Sequence, residues 1–423
     1  MRRLRVALLV KNAAALMVSS AGTSILGVAF WGVATRMVSP ADVGRSSAEI
    51  AAMMLVATLA QLGLPSMFER FLPISGDRAH SIVIRAYGIC VAASVLLSVL
   101  YILLGFSENF LPSQLIWRVV FVGSVAIWTV FALQDSVLIG LRAARWVPVE
   151  NILYSLAKLG LVPLLVIWSK SDAIFAAWMS PLIGAIIGVN WYLFKVRIPR
   201  HEGLNLSHET FPTWRQLVSM TFAQYASLIV NALAPLVVIL IVFRRLGPVA
   251  SAHYYIPAQI AGGVSQFLVS VVRSFLVEAS TEPLKIRRHA RVALRTSAAV
   301  VFVSVGVGVI AAPWILRIFG ASYSVQGTTL LRLMLLSIVG FAVSDYYSAL
   351  AWIDRKIWSI VLRELILTLL YFGVILATIS HVGILSVGIA SITMASLQAI
   401  VFLGPLIKRY RDLSRPPGEV TPI

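Results

Sequence analysis

The residues in this sequence that could do chemistry are charges set into or against long apolar runs. Lys158 lies inside the run 150–168 and Glu49 near the start of the run 47–68. Asp135 and Asp345 lie toward the ends of the runs 116–139 and 328–350. Arg36, Arg70 and Arg273 close the runs 13–35, 47–68 and 252–276. An ionisable side chain in hydrocarbon is unfavourable, so each of these is a functional candidate. Lys158 turned toward lipid would cost roughly 3 kcal/mol, and so it should face water, a partner or an anion. Glu49 follows Arg45 by one helical turn, which puts the two on one face where they can pair. Asp135 and Asp345 either reach to water and to Arg142 or Arg355, or carry a coupling cation. Arg70 and Arg273 stand at comparable places in the two halves of the chain, either as anchors or as cations flanking a cavity mouth where they would meet a phosphate. Gln259 and Gln266 are two turns apart with Gly262 and Gly263 between them, and Arg273 follows two turns on, which makes a polar stripe. These groups bind anions, cations and hydrogen-bonding ligands. No Ser/His/Asp set, metal-ligand set or Gly-rich loop shares a face, so the chain reads as a protein without catalytic or metal-binding residues and not as an enzyme.

The elements that must hold these charges are membrane helices. Of the 423 residues 59% are hydrophobic and 12% charged, and the mean hydropathy is +0.90. A soluble domain of that composition would lack a polar shell. Twelve segments are long enough to cross a bilayer: 13–35, 47–68, 82–104, 116–139, 150–168, 173–194, 217–243, 252–276, 293–316, 328–350, 358–379 and 382–406. Backbone amides in hydrocarbon need internal partners, so these are helices. The sequence predicts an all-α polytopic membrane protein. Its start, Met1-Arg-Arg-Leu-Arg, reads as the basic flank of an uncleaved first span. Cys90, the single cysteine, cannot form an intrachain disulfide and reads as a small buried side chain. Trp31, Trp117, Trp168, Trp178, Trp191, Trp314 and Trp352 fall mostly near span ends and read as interfacial anchors.

The net charge of +18 would suggest nucleic acid in a soluble protein. Here the basic residues lie between spans, where membrane topology accounts for them, and no nucleic-acid partner is expected. Roughly three-quarters of the Lys and Arg fall on one side, with the N-terminus, the loops at 69–85, 142–145, 195–216, 285–295 and 355–356, and the tail. That places both termini in the cytoplasm and makes Arg36 an outer residue that topology opposes. The polar stretch 195–216 separates a bundle at 1–194 from a second at 217–423. The halves echo each other. Arg36 to Gly44 is matched about 208 residues on by Arg245-Leu-Gly-Pro248 and the segment to Gln259, and Phe131-Ala-Leu-Gln-Asp135 by Phe341-Ala-Val-Ser-Asp345 about 210 on. Six helices per copy give both the same orientation, as in transporters built from two parallel repeats. Pro65, Pro163, Pro235 and Pro257 supply bends. No loop is large enough for an ATPase module or for the outer domain of a membrane glycosyltransferase.

The opening helix pair resembles the multidrug/oligosaccharidyl-lipid/polysaccharide exporter (MOP) superfamily, in particular its Wzx-type polysaccharide flippases. The residues that carry the likeness are Arg36-Met-Val-Ser-Pro-Ala-Asp-Val-Gly44, then Leu62-Gly-Leu64, Glu69-Arg70 and Leu72-Pro73, with their echo in the second half. The resemblance implies two six-helix bundles in a V around a cationic cavity, alternating access, and a proton or sodium gradient in place of ATP or a cofactor. It implies an inner-membrane flippase of a lipid-linked, polyprenyl-diphosphate oligosaccharide for lipopolysaccharide or capsule biosynthesis. Its partners would be that glycan, membrane lipids, and glycosyltransferases or a polymerase of the same pathway. On that reading Lys158, Arg273, Arg70 and Arg36 meet the phosphate, Gln259 and Gln266 the sugars, and Glu49, Asp135 and Asp345 the coupling ion. The chain departs from peptidoglycan-precursor flippases in having few cations deep in its first helices. Two other classes stay open: a drug/cation antiporter of the same superfamily, and a non-transporting scaffold of a polysaccharide assembly complex.

Overall fold

The structure, a computed structural model, describes residues 22–203, 214–281, 286–353 and 357–412. Within these helices the side chains of 214–224, 226–228, 230–231, 273–291, 293, 304, 349–361 and 409–412 lie outside the description. The start of the first span, the basic residues at 285–291 and 355–356 and the side chain of Arg273 are therefore sequence expectations only.

Every described element is helical. In chain order they are α1 (22–37), α2 (Pro40–Ala60), α3 (Leu64–Phe71), α4 (Ala79–Leu103), α5 (Leu115–Gly140), α6 (Trp146–Val166), α7 (Ala173–Tyr192), α8 (Ile198–Glu202), α9 (Trp214–Thr281), α10 (Ile286–Arg317), α11 (Ala321–Ile353), α12 (Ile357–Val382) and α13 (Leu385–Asp412). Ten stretches of the described residues are long and apolar enough to cross a membrane. Twelve were expected, and the difference has two sources. The first span extends beyond the described residues, and the seventh and eighth are joined in α9, where one candidate runs Ala232–Val272.

The join in α9 falls at the expected Arg245-Leu-Gly-Pro248 turn. Gly247 takes φ 86° and ψ 178°, a region open in practice to glycine alone. Pro248 then restarts the helix, where its missing N–H costs nothing. The turn before α2 works through a cap: the Asp42 N–H donates to Ser39 Oγ at 3.2 Å, and Ser39 Oγ donates to Asp42 Oδ2 at 2.6 Å. Pro40 occupies the first helical turn. The expected second span ends earlier than the hydrophobicity suggests. Leu62 and Gly63 adopt positive φ, and the amphipathic run with Glu69 and Arg70 becomes the separate short helix α3.

The chain divides into two compact units, Met1–Ala252 and His253–Ile423. In the first, α3, α4, α5 and the 193–198 segment enclose a core of Phe68, Leu72, Val83, Cys90, Leu133 and Leu138. Cys90 is buried, as read from the sequence. The expected polar linker 195–216 starts as structure: a π-turn at Leu193–Arg197 leads into α8. Arg197 donates from Nε and Nη2 to the Leu141 carbonyl at 3.0 and 2.6 Å, and from Nη2 to that of Arg142 at 3.1 Å. It thus caps the carbonyl end of α5, which the helix dipole favours. In the second unit α11 packs against α10 and α13.

Candidate functional site

Lys158 is the centre of an aromatic cage. Tyr154 and Lys158 share a face of α6 at i, i+4 spacing, and Trp178 of α7 and Phe30 of α1 close around them. The Lys158 Nζ lies 3.7 Å from the ring centroid of Trp178, 5.0 Å from that of Tyr154 and 5.2 Å from that of Phe30. Lys158 is 5% exposed, and no carboxylate pairs with it among the described residues. The ring faces carry the negative quadrupole that an ammonium without water needs, worth about 2 kcal/mol when desolvated. Tyr154 Oη donates to the Trp178 carbonyl at 3.0 Å and fixes α6 against α7. Trp31 extends the cluster, its ring 5.2 Å from Phe30 and 6.3 Å from Trp178. Trp31 and Trp178 are 2% and 9% exposed, which corrects their reading as interfacial anchors. Trp168, Trp191 and Trp314 are exposed and fit that role.

A second polar group lies nearer the α5–α6 turn. Gln134 and Asp135 of α5 face Glu150 and Asn151 of α6. Gln134 Nε2 donates to Glu150 Oε1. Asn151 Nδ2 donates to Asp135 Oδ2 at 3.1 Å. Asn190 of α7 joins them, its Nδ2 donating to Gln134 Oε1 at 3.0 Å. The sequence singled out Asp135 but missed Glu150, because Glu150 opens its apolar run and reads there as a water-facing end. The signal was the pair of adjacent amide–acid doublets on consecutive helices.

The other candidates are dispersed. Arg45 makes its ion pair with Asp172 at the start of α7, at 2.8 Å, and not with Glu49. Glu49 is half-buried one turn along α2. Arg36 is exposed at the end of α1. Arg70 is exposed on α3 with its guanidinium 5.3 Å from the Phe71 ring. Gln259 and Gln266 are both exposed on α9, and Asp345 is half-buried on α11. Among the described residues no three His, Cys, Asp or Glu converge to hold a metal.

One membrane-embedded cation escaped the sequence reading altogether. Arg332, in mid-α11, donates from Nε to the Val309 carbonyl of α10 at 2.9 Å. Pro313 stands four residues after Val309 and has no N–H, so this carbonyl has lost its helical partner and Arg332 supplies the replacement. A double-mutant cycle checks this. Pro313→Ala restores the N–H, and the destabilisation caused by Arg332→Leu should then fall by about 1 kcal/mol in thermal unfolding. Equal effects in both backgrounds would refute the pairing.

Comparison with known proteins adds the family context. Residues 9–277 match the family model described as "Polysaccharide biosynthesis protein". No curated protein sequence matches the chain. Among solved structures, a Vibrio cholerae MATE transporter matches with a TM-score of 0.66 and 13% identity, covering 96% of this chain and 98% of that one. An inward-facing multidrug resistance MATE transporter of the MOP superfamily matches at 0.62 and 15%, covering 94% and 96%. A MOP superfamily transporter from Pyrococcus furiosus, whose binding pocket of reverse polarity suggests a different function, matches at 0.62 and 13%, covering 96% and 97%. The MATE-like architecture therefore extends over nearly the whole chain.

Proposed function

Because the chain belongs to the polysaccharide biosynthesis protein family of the MOP superfamily, we propose that this multi-pass membrane transporter moves a lipid-linked oligosaccharide across the bacterial inner membrane by alternating access. The family match over residues 9–277 is the observation that carries the reading. The physical requirement is a carrier that lets a polyprenyl tail stay in hydrocarbon while a diphosphate and sugars cross in a polar environment. Cations meet the diphosphate. Lys158 is the strongest of them, since it lies inside a span and no carboxylate among the described residues competes for its ammonium. Arg36, Arg70 and Arg273 are the further phosphate groups, and Gln259 and Gln266 on the exposed face of α9 serve the sugars. Both termini lie in the cytoplasm, on the side of the basic loops.

The cage argues against the drug/cation antiporter. Aromatic faces are what an organic cation would bind, and in this chain its own ammonium occupies them. The test is deletion in the native host with leaflet-resolved labelling of the glycolipid. Lipid-linked glycan should accumulate on the inner leaflet and be cleared by the reintroduced wild-type chain. Delivery to the outer leaflet at the normal rate without the protein would overturn the proposal.

A further inference from the structure

A cavity of about 360 Å³ opens in the first unit, at the end of the molecule where Gly44 meets Pro248. Leu55 of α2 with Leu240 and Ile241 of α9 makes its aliphatic side. The opposite side is the 104–114 connection between α4 and α5, which contributes Phe106, Asn109 and Phe110. Tyr101 at the end of α4 and Arg244 of α9 complete the polar part. Mostly apolar walls with a few polar groups, at this volume, are the ordinary make-up of a ligand site.

The connection is held as a wall. It turns at Gly105, whose φ of 74° suits glycine. The Phe106 N–H then donates to the Tyr101 carbonyl at 3.2 Å, and the Leu111 N–H to that of Ser107 at 2.9 Å. Phe110 is buried, its ring 6.3 Å from Phe121 of α5 and 6.3 Å from Phe243 of α9. Tyr101 stacks on the same Phe121 at 6.0 Å. This packing closes the back of the cavity, while Leu103, Leu104 and Phe106 beside it are exposed. In a chain that spans a membrane such side chains face lipid, so the cavity is entered from hydrocarbon.

Charge selects the occupant. Arg244 is exposed and pairs with no carboxylate among the described residues. Glu108, the one acid of the 104–114 connection, folds back over Gly105, its Oε1 3.2 Å from where a methyl group there would stand. At the same end of the molecule Arg45 is answered by Asp172 at 2.8 Å. An arginine beside a lipid-facing cavity, without an acid of its own, calls for an anion from outside the chain. Guanidinium binds phosphate through two parallel N–H···O bonds. The single cation decides which phosphate. A diphosphate carries more charge than one guanidinium answers, and its sugars would not fit in about 360 Å³. An ethanolamine or choline head would set a second cation against Arg244, like against like.

We propose that this cavity binds one anionic phospholipid, a phosphodiester with an uncharged head group. Its phosphate rests on Arg244, its acyl chain lies along Leu55, Leu240 and Ile241, and Asn109 and Tyr101 donate to the head. The site is independent of the transport reading, because neither Lys158 nor any group assigned there to the glycan lines it. Arg244 stands three residues before the helix break at Gly247. A lipid that bridges the 104–114 connection to α9 therefore holds the helix end in front of that kink.

The test uses the purified full-length chain in dodecyl maltoside, its unfolding midpoint followed as dioleoylphosphatidylglycerol or dioleoylphosphatidylcholine is titrated in. A ligand that binds only the folded chain raises the midpoint. The glycerol lipid should do so and the choline lipid should not. Arg244→Gln should raise the half-saturating concentration by about tenfold or more, the loss expected when a charged hydrogen-bond donor goes. Arg245→Gln removes the same charge from the exposed neighbour outside the cavity, and should behave as wild type. Ile241→Trp fills the cavity, keeps the charge and should also lose the response. No response of the wild type to the glycerol lipid overturns the proposal. Equal shifts in Arg244→Gln and Arg245→Gln also overturn it, since they would mean diffuse attraction to a chain of net charge +18. A third titration with undecaprenyl phosphate separates the two lipid sources: tighter binding than the glycerol lipid, lost in Arg244→Gln, would overturn the phospholipid assignment in favour of a polyprenyl lipid.

Discussion

Replacing Lys158 by methionine is expected to abolish most transport while leaving the protein at least as stable as the wild type. The expectation comes from two opposing terms. A lysine at the centre of a membrane helix is disfavoured by about 3 kcal/mol. The rings of Trp178, Tyr154 and Phe30 return about 2 kcal/mol to the desolvated ammonium. Methionine fills a similar volume, and its sulfur finds aromatic contacts worth up to about 1 kcal/mol. Lys158→Met should therefore be neutral or stabilising by about 1 kcal/mol in thermal unfolding. Removing a charge-assisted phosphate contact forfeits about 1.5–3 kcal/mol, so transport should fall by roughly ten- to a hundredfold at unchanged membrane abundance. That split between activity and stability marks a group kept for function. Unaltered transport in Lys158→Met would remove the phosphate role. A variant that is both inactive and markedly destabilised would show Lys158 to be a packing residue. Lys158→Arg serves as the companion variant, because the broad guanidinium fork is not interchangeable with a compact ammonium held over three rings.

The cage also shows what could and could not be read from the sequence. Lys158 stood out because a charge inside an apolar run is anomalous by itself. Its partners did not, because Phe30 and Trp178 come from α1 and α7, and nothing in the spacing of the chain tells an aromatic near a span end to turn inward. The same limit explains Arg45. The local i, i+4 geometry pointed to Glu49, but Asp172, brought close only by the packing of α2 against α7, takes the contact at 2.8 Å. Arg332 was hidden for a different reason: a single arginine does not interrupt the 328–350 run, and its purpose depends on Pro313 of the neighbouring helix. The helices themselves were legible, since bilayer thickness fixes the length of an apolar run. The connecting turn read at Arg245-Leu-Gly-Pro248 was legible too: Gly247 breaks the helix there, so α9 is two helices joined across a kink.

The second large effect is expected at Gly44. A methyl group added there would lie inside the van der Waals envelope of the Pro248 carbonyl oxygen, 2.6 Å from its carbon and 3.2 Å from the Ala252 nitrogen. All three are backbone atoms, so no rotamer change relieves the overlap and α2 and α9 must separate. Small residues at such crossings are what let membrane helices approach closely, and van der Waals contact is a main part of what holds them together. Gly44→Ala is therefore expected to destabilise by about 3 kcal/mol and to lower membrane abundance. Gly123, in mid-α5, is the control, because nothing lies within 4 Å of a methyl group placed there. Gly123→Ala should be neutral or stabilising by up to about 1 kcal/mol, from helix propensity alone. The pair is read by abundance and by unfolding midpoint in the same membrane preparation. Equal behaviour of the two variants would mean that α2 and α9 do not cross at Gly44 as closely as described. In that case the echo of Arg36–Gly44 in Arg245–Pro248 would reflect sequence duplication without direct packing of the two turns.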